Sequence, residues 1–295
     1  MLASAQIVQL KAYGDFAIAV SCLEKAVISG CSIIAGDHLR ALGVALASNV
    51  GCEFVTTGDV DVPALFDARQ KGLIAAASSA MAVRGALAKR QTTSSLIFDR
   101  VGLREMFVAG GSPVIQLPPA PNIYLAYEQI LGHSSHGGLK VADDHRRSLS
   151  IFPASRIPAK DIPASLVARI LEAADRAGIH AEVILLEGER SDLIKSGMKC
   201  RTVEKSFPSL VGATKACSVI VTADSLPAHL AEYCDIPVFV LTPKPNEYWM
   251  PRSAYQHGTW AVFDDELVGA SVQSFLRRSA SGCFPNLTPI STDDE

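Results

Sequence analysis

Short apolar runs alternate with helical stretches along nearly the whole chain, and this rhythm restricts the fold more than any other feature. In the first half, residues 7–11 (IVQLK), 31–35 (CSIIA), 52–56 (CEFVT), 95–99 (SLIFD) and 114–117 (VIQL) read as strands. Helical stretches fall between them. One begins near Phe16, and one spans 37–48 with Leu39, Leu42 and Leu46 on a common face; an Ala-rich pair over 62–90 is broken near Gly72, and a last one covers 122–131. The second half restarts the pattern, with strands at 148–152, 181–186, 219–222, 238–241 and 260–263. Its helices are at 164–177, 209–216 and 225–234, with a final amphipathic one beginning near Leu267. Strands that are apolar throughout, each followed by a helix, predict parallel sheets covered on both faces. Residues 133–147 (HSSHGGLKVADDHRR) lose the periodicity, which predicts two doubly wound domains, 1–145 and 146–295.

Composition narrows the partners. The 295 residues carry 27 Lys and Arg against 30 Asp and Glu, a net charge of −3, too balanced for nucleic acid or an acidic membrane as the main partner. The start of the chain lacks the pattern of a signal peptide, and Glu24 and Lys25 interrupt its most apolar early stretch, 16–35. The expectation is a cytoplasmic protein with at most peripheral membrane contact. Cysteines 22, 31, 52, 200, 217, 234 and 283 are scattered and form no Cys-x-x-Cys pair, so neither a disulfide framework nor a zinc site is expected. His133, His136 and His145 sit in the aperiodic linker, which offers a metal no fixed geometry, and the sequon Asn286-Leu287-Thr288 has no role in a cytoplasmic chain.

Two turns stand out for chemistry. Residues 219–237 (VIVTADSLPAHLAEYCDIP) read as a buried strand, a turn at Asp224 and Ser225, and a helix with Leu226, Leu230 and Cys234 on one face. Such a turn is either an ordinary β–α corner or an anion site, because it aims backbone N–H groups and a positive helix end above the sheet. Lys11-Ala12-Tyr13-Gly14-Asp15 follows the first strand in the same way, and Asp15 is either a general base or an N-cap. In doubly wound domains both turns lie at the carboxyl ends of strands, where ligands bind.

The KxxGD turn at 11–15, FPASRIPAKDIP at 152–163, VILLEGERSD at 183–192 and VTADSLPAHLAEYCDIPVFVL at 221–241 together resemble glycosyltransferase family 9, the ADP-heptose:lipopolysaccharide heptosyltransferases. The resemblance covers most of the second half but only the first turn and the general rhythm of the first. It implies a GT-B architecture, two Rossmann-like domains facing a cleft. It also implies inverting sugar transfer with no metal and no cofactor, from a nucleotide-diphospho-sugar such as ADP-heptose to a glycan or glycolipid acceptor. By this resemblance Gly14 and Asp15 match the family's Gly-Asp turn, with Asp15 as the base; Lys11 either faces acceptor or diphosphate or is the polar end of a strand. Asp224 would bind sugar hydroxyls, and Ser225 and the amides after it the diphosphate; His229, which fits the family motif, either touches the donor, caps the cleft or packs under the loop. Arg156 or Lys160 would neutralise the leaving group, Arg156 being favoured for its forked geometry. Tyr248 and Trp249 would stack on a nucleobase or pack at the domain edge.

The sequence departs from the family pattern at Leu226 and Pro227, which follow Asp-Ser where a glycine is usual, and at TPKPNEYWMP (242–251), which replaces a Phe-Gly turn. Leu226 then stands where a phosphate approaches, and one N–H is missing. The rival readings are a nucleotide-sugar epimerase or hydrolase on the same architecture, and a non-catalytic binding or scaffold protein.

Overall fold

The computed structural model of the chain describes residues 5–26, 30–57, 60–89, 94–132 and 148–281. The chain divides into two compact units, Met1–Ser135 and His136–Glu295. The boundary expected near residue 145, the three linker histidines, Cys283 and the sequon all lie outside the described residues.

The first unit contains β1 (Gln6–Gln9), α1 (Tyr13–Lys25), β2 (Ser32–Gly36), α2 (Arg40–Leu46), β3 (Cys52–Val55), α3 (Ala68–Lys71), α4 (Leu73–Ala88), β4 (Leu96–Phe98), α5 (Leu103–Ala109), β5 (Val114–Gln116) and α6 (Ile123–Leu131). Its parallel sheet has the order β3-β2-β1-β4-β5. Helix α1 is apolar on every side, and Phe16 through Leu23 are all buried, as a helix sandwiched inside a domain requires. Gly72 breaks the Ala-rich segment as expected, with a φ of +89° between α3 and α4. The stretch read as one helix over 37–48 is a 3₁₀ turn, Asp37–Leu39, followed by α2. Residues 62–66 are likewise 3₁₀. Helix α5 was not expected.

The second unit contains β6 (Ser148–Phe152), α7 (Ala164–Arg176), β7 (His180–Leu186), α8 (Ser191–Lys195), β8 (Cys200–Val203), α9 (Phe207–Lys215), β9 (Val219–Ala223), α10 (Leu226–Tyr233), β10 (Val238–Thr242), α11 (Arg252–His257), β11 (Trp260–Val262) and α12 (Val268–Ser281). The sheet is parallel throughout, in the order β11-β10-β9-β6-β7-β8. Renumbered within the unit this is 3-2-1-4-5-6, the dinucleotide-fold order, and the first sheet is the same order lacking its last strand. Alternate strand residues Leu149, Ile151, Val183, Leu185, Val221, Phe239 and Leu241 share one face and pack with Val167 and Ile170 of α7 and with Val272 and Phe275 of α12. The described cysteines are free thiols, and burial pushes Cys52 and Cys217 up to about 11, which keeps both protonated and unreactive.

Candidate functional site

Both strand orders reverse direction once, between β1 and β4 and between β6 and β9. At such a switch the loops leaving adjacent strands diverge and open a crevice.

In the first unit this crevice is edged by Lys11, Asp15 and Asp99. Lys11 lies beyond β1 and is exposed. The glycine turn expected at 12–15 ends earlier than the sequence suggested. Tyr13 already begins α1, whose N-cap is Ala12, so Gly14 and Asp15 belong to the helix's first turn and Asp15 is not a cap. The Phe16 N–H donates to the Ala12 carbonyl at 3.1 Å, closing that turn. Asp15 is half-buried there, where the positive helix end favours a carboxylate. Sequence reading missed three neighbours. Asp99, just past β4, accepts from the Arg100 N–H at 2.9 Å. Gln9 and Tyr127 are both buried, and Gln9 Nε2 donates to the Tyr127 hydroxyl at 2.7 Å. Burial, with Cys22, Asp99 and Asp15 as electronegative neighbours, holds the Tyr127 phenol well above its ordinary value, so its proton stays on to be donated.

In the second unit the crevice is built around Asp224. This side chain, just after β9, is only 7% exposed, and its Oδ2 accepts from Lys160 Nζ at 2.8 Å and from Asn246 Nδ2 at 3.0 Å. Lys160 arrives from the loop after β6, Asn246 from the loop after β10. The segment that departs from the family pattern thus supplies a direct partner to Asp224. Arg156, on the same loop as Lys160, is exposed. Ser225 holds the N-cap position of α10, but its hydroxyl makes no capping bond and lies 3.3 Å from the carbonyls of Ala154 and Ala223, tying the ends of β6 and β9 together. Leu226 and Pro227 form the first turn, and the Ala228 N–H donates back to the Ser225 carbonyl at 3.0 Å. Tyr248 and Trp249 pack edge to face at 5.1 Å between ring centroids.

The loop carrying Lys160 is closed at its base. The Ile162 N–H donates to the Pro153 carbonyl at 2.9 Å, and Arg190 Nη1 donates to the Ile162 carbonyl at 2.8 Å and the Pro153 carbonyl at 3.4 Å. Inside the loop the Ser155 N–H donates to Asp161 Oδ1 at 2.6 Å. Arg190 reaches this position from a left-handed backbone, φ 45°, and its fork is completed by Asp192 at 3.0 and 2.8 Å. That pairing raises the guanidinium pKa and lowers that of Asp192.

His229 is buried on α10, three residues before Glu232, whose Oε2 accepts from the Ser253 N–H at 2.9 Å. Burial pushes His229 down to about 4, Lys160 adds to this, and Asp224 and Glu232 oppose it. The imidazole is therefore neutral at pH 7. In the unfolded chain it takes up a proton below its ordinary 6.5, whereas the folded chain does so only near 4. Between those values the unfolded state binds more protons, so stability falls as pH falls, by roughly 3 kcal/mol across the window. Denaturant unfolding at pH 7, 6 and 5 is expected to show this slope reduced in His229→Gln; equal slopes in both proteins would refute it.

No family model matches the chain, and no curated protein matches its sequence. Solved structures do. Escherichia coli heptosyltransferase WaaC with ADP is 12% identical over 94% of this chain and 100% of its own, with a TM-score of 0.62. E. coli ADP-heptose lipopolysaccharide heptosyltransferase II is 13% identical over 95% and 99%, with a TM-score of 0.60. A glycosyl transferase family 9 structure from Veillonella parvula is 13% identical over 95% and 97%, also at 0.60. The fold is GT-B, with two Rossmann-like domains. Within that class it is heptosyltransferase-like, of the kind seen in glycosyltransferase family 9.

Proposed function

We propose that this chain is a cytoplasmic glycosyltransferase. It moves a sugar, heptose from ADP-heptose in the first instance, from a nucleotide-diphospho-sugar to a saccharide of the cell envelope, with inversion and without a metal. The observation that carries the reading is Asp224, buried at the switch point of the second sheet and fixed there by Lys160 and Asn246. Both partners fall on Oδ2, and with no hydrogen bond to Oδ1 among the described residues that oxygen is left for donor sugar hydroxyls. Lys160 Nζ spends one of its three donors on Asp224 and has two for phosphate oxygens. The first unit supplies the acceptor side and the second the donor side. Asp15 takes the proton of the acceptor hydroxyl, whose oxygen bonds to the anomeric carbon as the bond from that carbon to the diphosphate breaks. Lys160 and the N-terminal end of α10 neutralise the departing charge.

In α10, Pro227 has no N–H, the Ala228 N–H serves the Ser225 carbonyl, and the Leu226 N–H makes no hydrogen bond among the described residues. Backbone stabilisation of the diphosphate thus shrinks to the Ser225 and Leu226 amides, and the cation carries the larger share. The same feature favours the second reading, a nucleotide-sugar-binding protein without transfer.

A thermal-shift panel of nucleotide sugars separates these. ADP-linked sugars are expected to raise the melting midpoint by a few degrees at about 100 times Kd, and no shift with any nucleotide sugar would remove the proposal. Turnover of donor without acceptor would point instead to a hydrolase or epimerase.

A further inference from the structure

Several large apolar side chains left in solvent among the described residues lie on two helices of the first unit that pack together. On α4 these are Leu73, Ile74 and Met81, and on α5 Leu103, Met106 and Phe107; Leu73, Ile74 and Leu103 are 80%, 88% and 88% exposed. The buried stripe of α4 is Ser79, Val83 and Leu87. Its opposite face, Ile74, Ala77, Ser78, Met81, Gly85 and Ala88, carries no charge. A solvated helix face is normally polar, so this one is built for contact.

The charges around it lean positive, with Asp61, Asp67 and Glu105 the acidic residues nearby. From Ala68 to Lys89 the chain contains Arg69, Lys71, Arg84 and Lys89 and no Asp or Glu, although the net charge of the whole chain is −3. Arg69 and Lys71 precede α4, Lys71 in a half-exposed pair with Asp61 at 3.4 Å, and Lys89 follows it. Arg84 sits over the Phe107 ring at 4.7 Å and donates to the Phe107 carbonyl at 2.9 Å, joining α4 to α5. Arg104 on α5 lies 4.3 Å over the Phe66 ring and is paired with the neighbouring Glu105 carboxylate, so it adds no net charge. An apolar face rimmed by long cationic side chains suits an anionic lipid surface, where the apolar groups enter the acyl boundary and the cations remain among the phosphates. A second copy of the chain suits it poorly, because a twofold contact would set the same cations against one another. At 16 residues α4 spans about 24 Å, short of the ~30 Å hydrocarbon core, and no described helix is long and apolar enough to cross a membrane. The helix would therefore lie along the surface.

We propose that the α4–α5 face docks this protein on an anionic lipid bilayer. Vesicle flotation tests this with neither donor nor acceptor present, so its outcome is independent of the transfer reading. The full chain is expected to float with vesicles containing phosphatidylglycerol and not with pure phosphatidylcholine, and to be released as salt rises. Leu73→Ser with Ile74→Ser is expected to lower the partition coefficient about tenfold or more, and Arg69→Gln with Lys71→Gln about five- to tenfold. Ile194→Ser with Leu267→Ser, exposed apolar residues of the second unit, leave it unchanged. Circular dichroism and the melting midpoint establish that each variant is folded. Failure of the wild type to float, or flotation unaffected by the α4 substitutions, overturns the proposal. So does sedimentation showing a dimer that the α4 substitutions dissociate, since the face would then be a self-interface.

Discussion

Replacing Asp15 with asparagine is expected to lower the transfer rate by about 10²- to 10⁴-fold, the contribution of a positioned general base. The loss should fall on kcat with KM for the acceptor nearly unchanged, because the amide keeps the size of the carboxylate and loses only its ability to take a proton. Asp15 lies in the first turn of α1 beside the buried Gln9–Tyr127 pair, so the side chain is held by rigid structure and the substitution should leave the fold intact. Steady-state kinetics following ADP release measure this. A folded Asp15→Asn enzyme with full activity would remove Asp15 from the mechanism, and attention would pass to Asp99, the other carboxylate at that strand end.

The second large effect is expected at Lys160. Substitution by methionine removes the cation proposed to meet the leaving diphosphate and should cost about 10²- to 10³-fold in kcat, with weaker ADP binding as well. Arg156→Met should change either quantity less than about twofold, since Arg156 is exposed and Lys160 is the residue that reaches Asp224. Lys160→Met also deprives the buried Asp224 of its ion pair. Asn246 still donates to that carboxylate and Lys160 is 31% exposed, so the stability loss should be about 1–3 kcal/mol, below that of a fully buried pair. Parallel kinetics, ADP titration and unfolding of the two variants decide the matter. Equal losses from both would mean that the loop presents its cations interchangeably.

How much of this was readable beforehand depended on where each residue's information lies. The central strands β6, β9 and β10 were legible because their apolar residues have no other place to go. Strand β8, Cys200–Val203, was not, because its central residues Arg201 and Thr202 are exposed at the sheet edge and no apolar run marks it. Helix α5 was missed for a related reason. It is short, and it turns Leu103, Met106 and Phe107 toward solvent, so its apolar residues do not trace an inward stripe. In the site, Asp224 was visible as the residue ending a strand before a helix. Asn246 was not, because its meeting with Asp224 depends on the path of a proline-rich loop that local sequence does not encode. Which of Arg156 and Lys160 reaches Asp224 depended on the same kind of information, the course of a loop and not the chemistry of the side chain.

The Arg190 guanidinium spans the two ends of the loop from Pro153 to Ile162 while its own backbone sits in a conformation that costs a non-glycine residue about 1–2 kcal/mol. A loop stapled at its base is an exchangeable cassette. Among the described residues its tip, residues 156–159, makes no side-chain bond to the strands it joins and is the part open to recoding, whereas Ala154, Ser155, Lys160 and Asp161 are tied to the site and the loop base. Chimaeras that recode residues 156–159, keeping Lys160, Asp161, Arg190 and Asp192, would therefore be a route to new donor preferences on this scaffold.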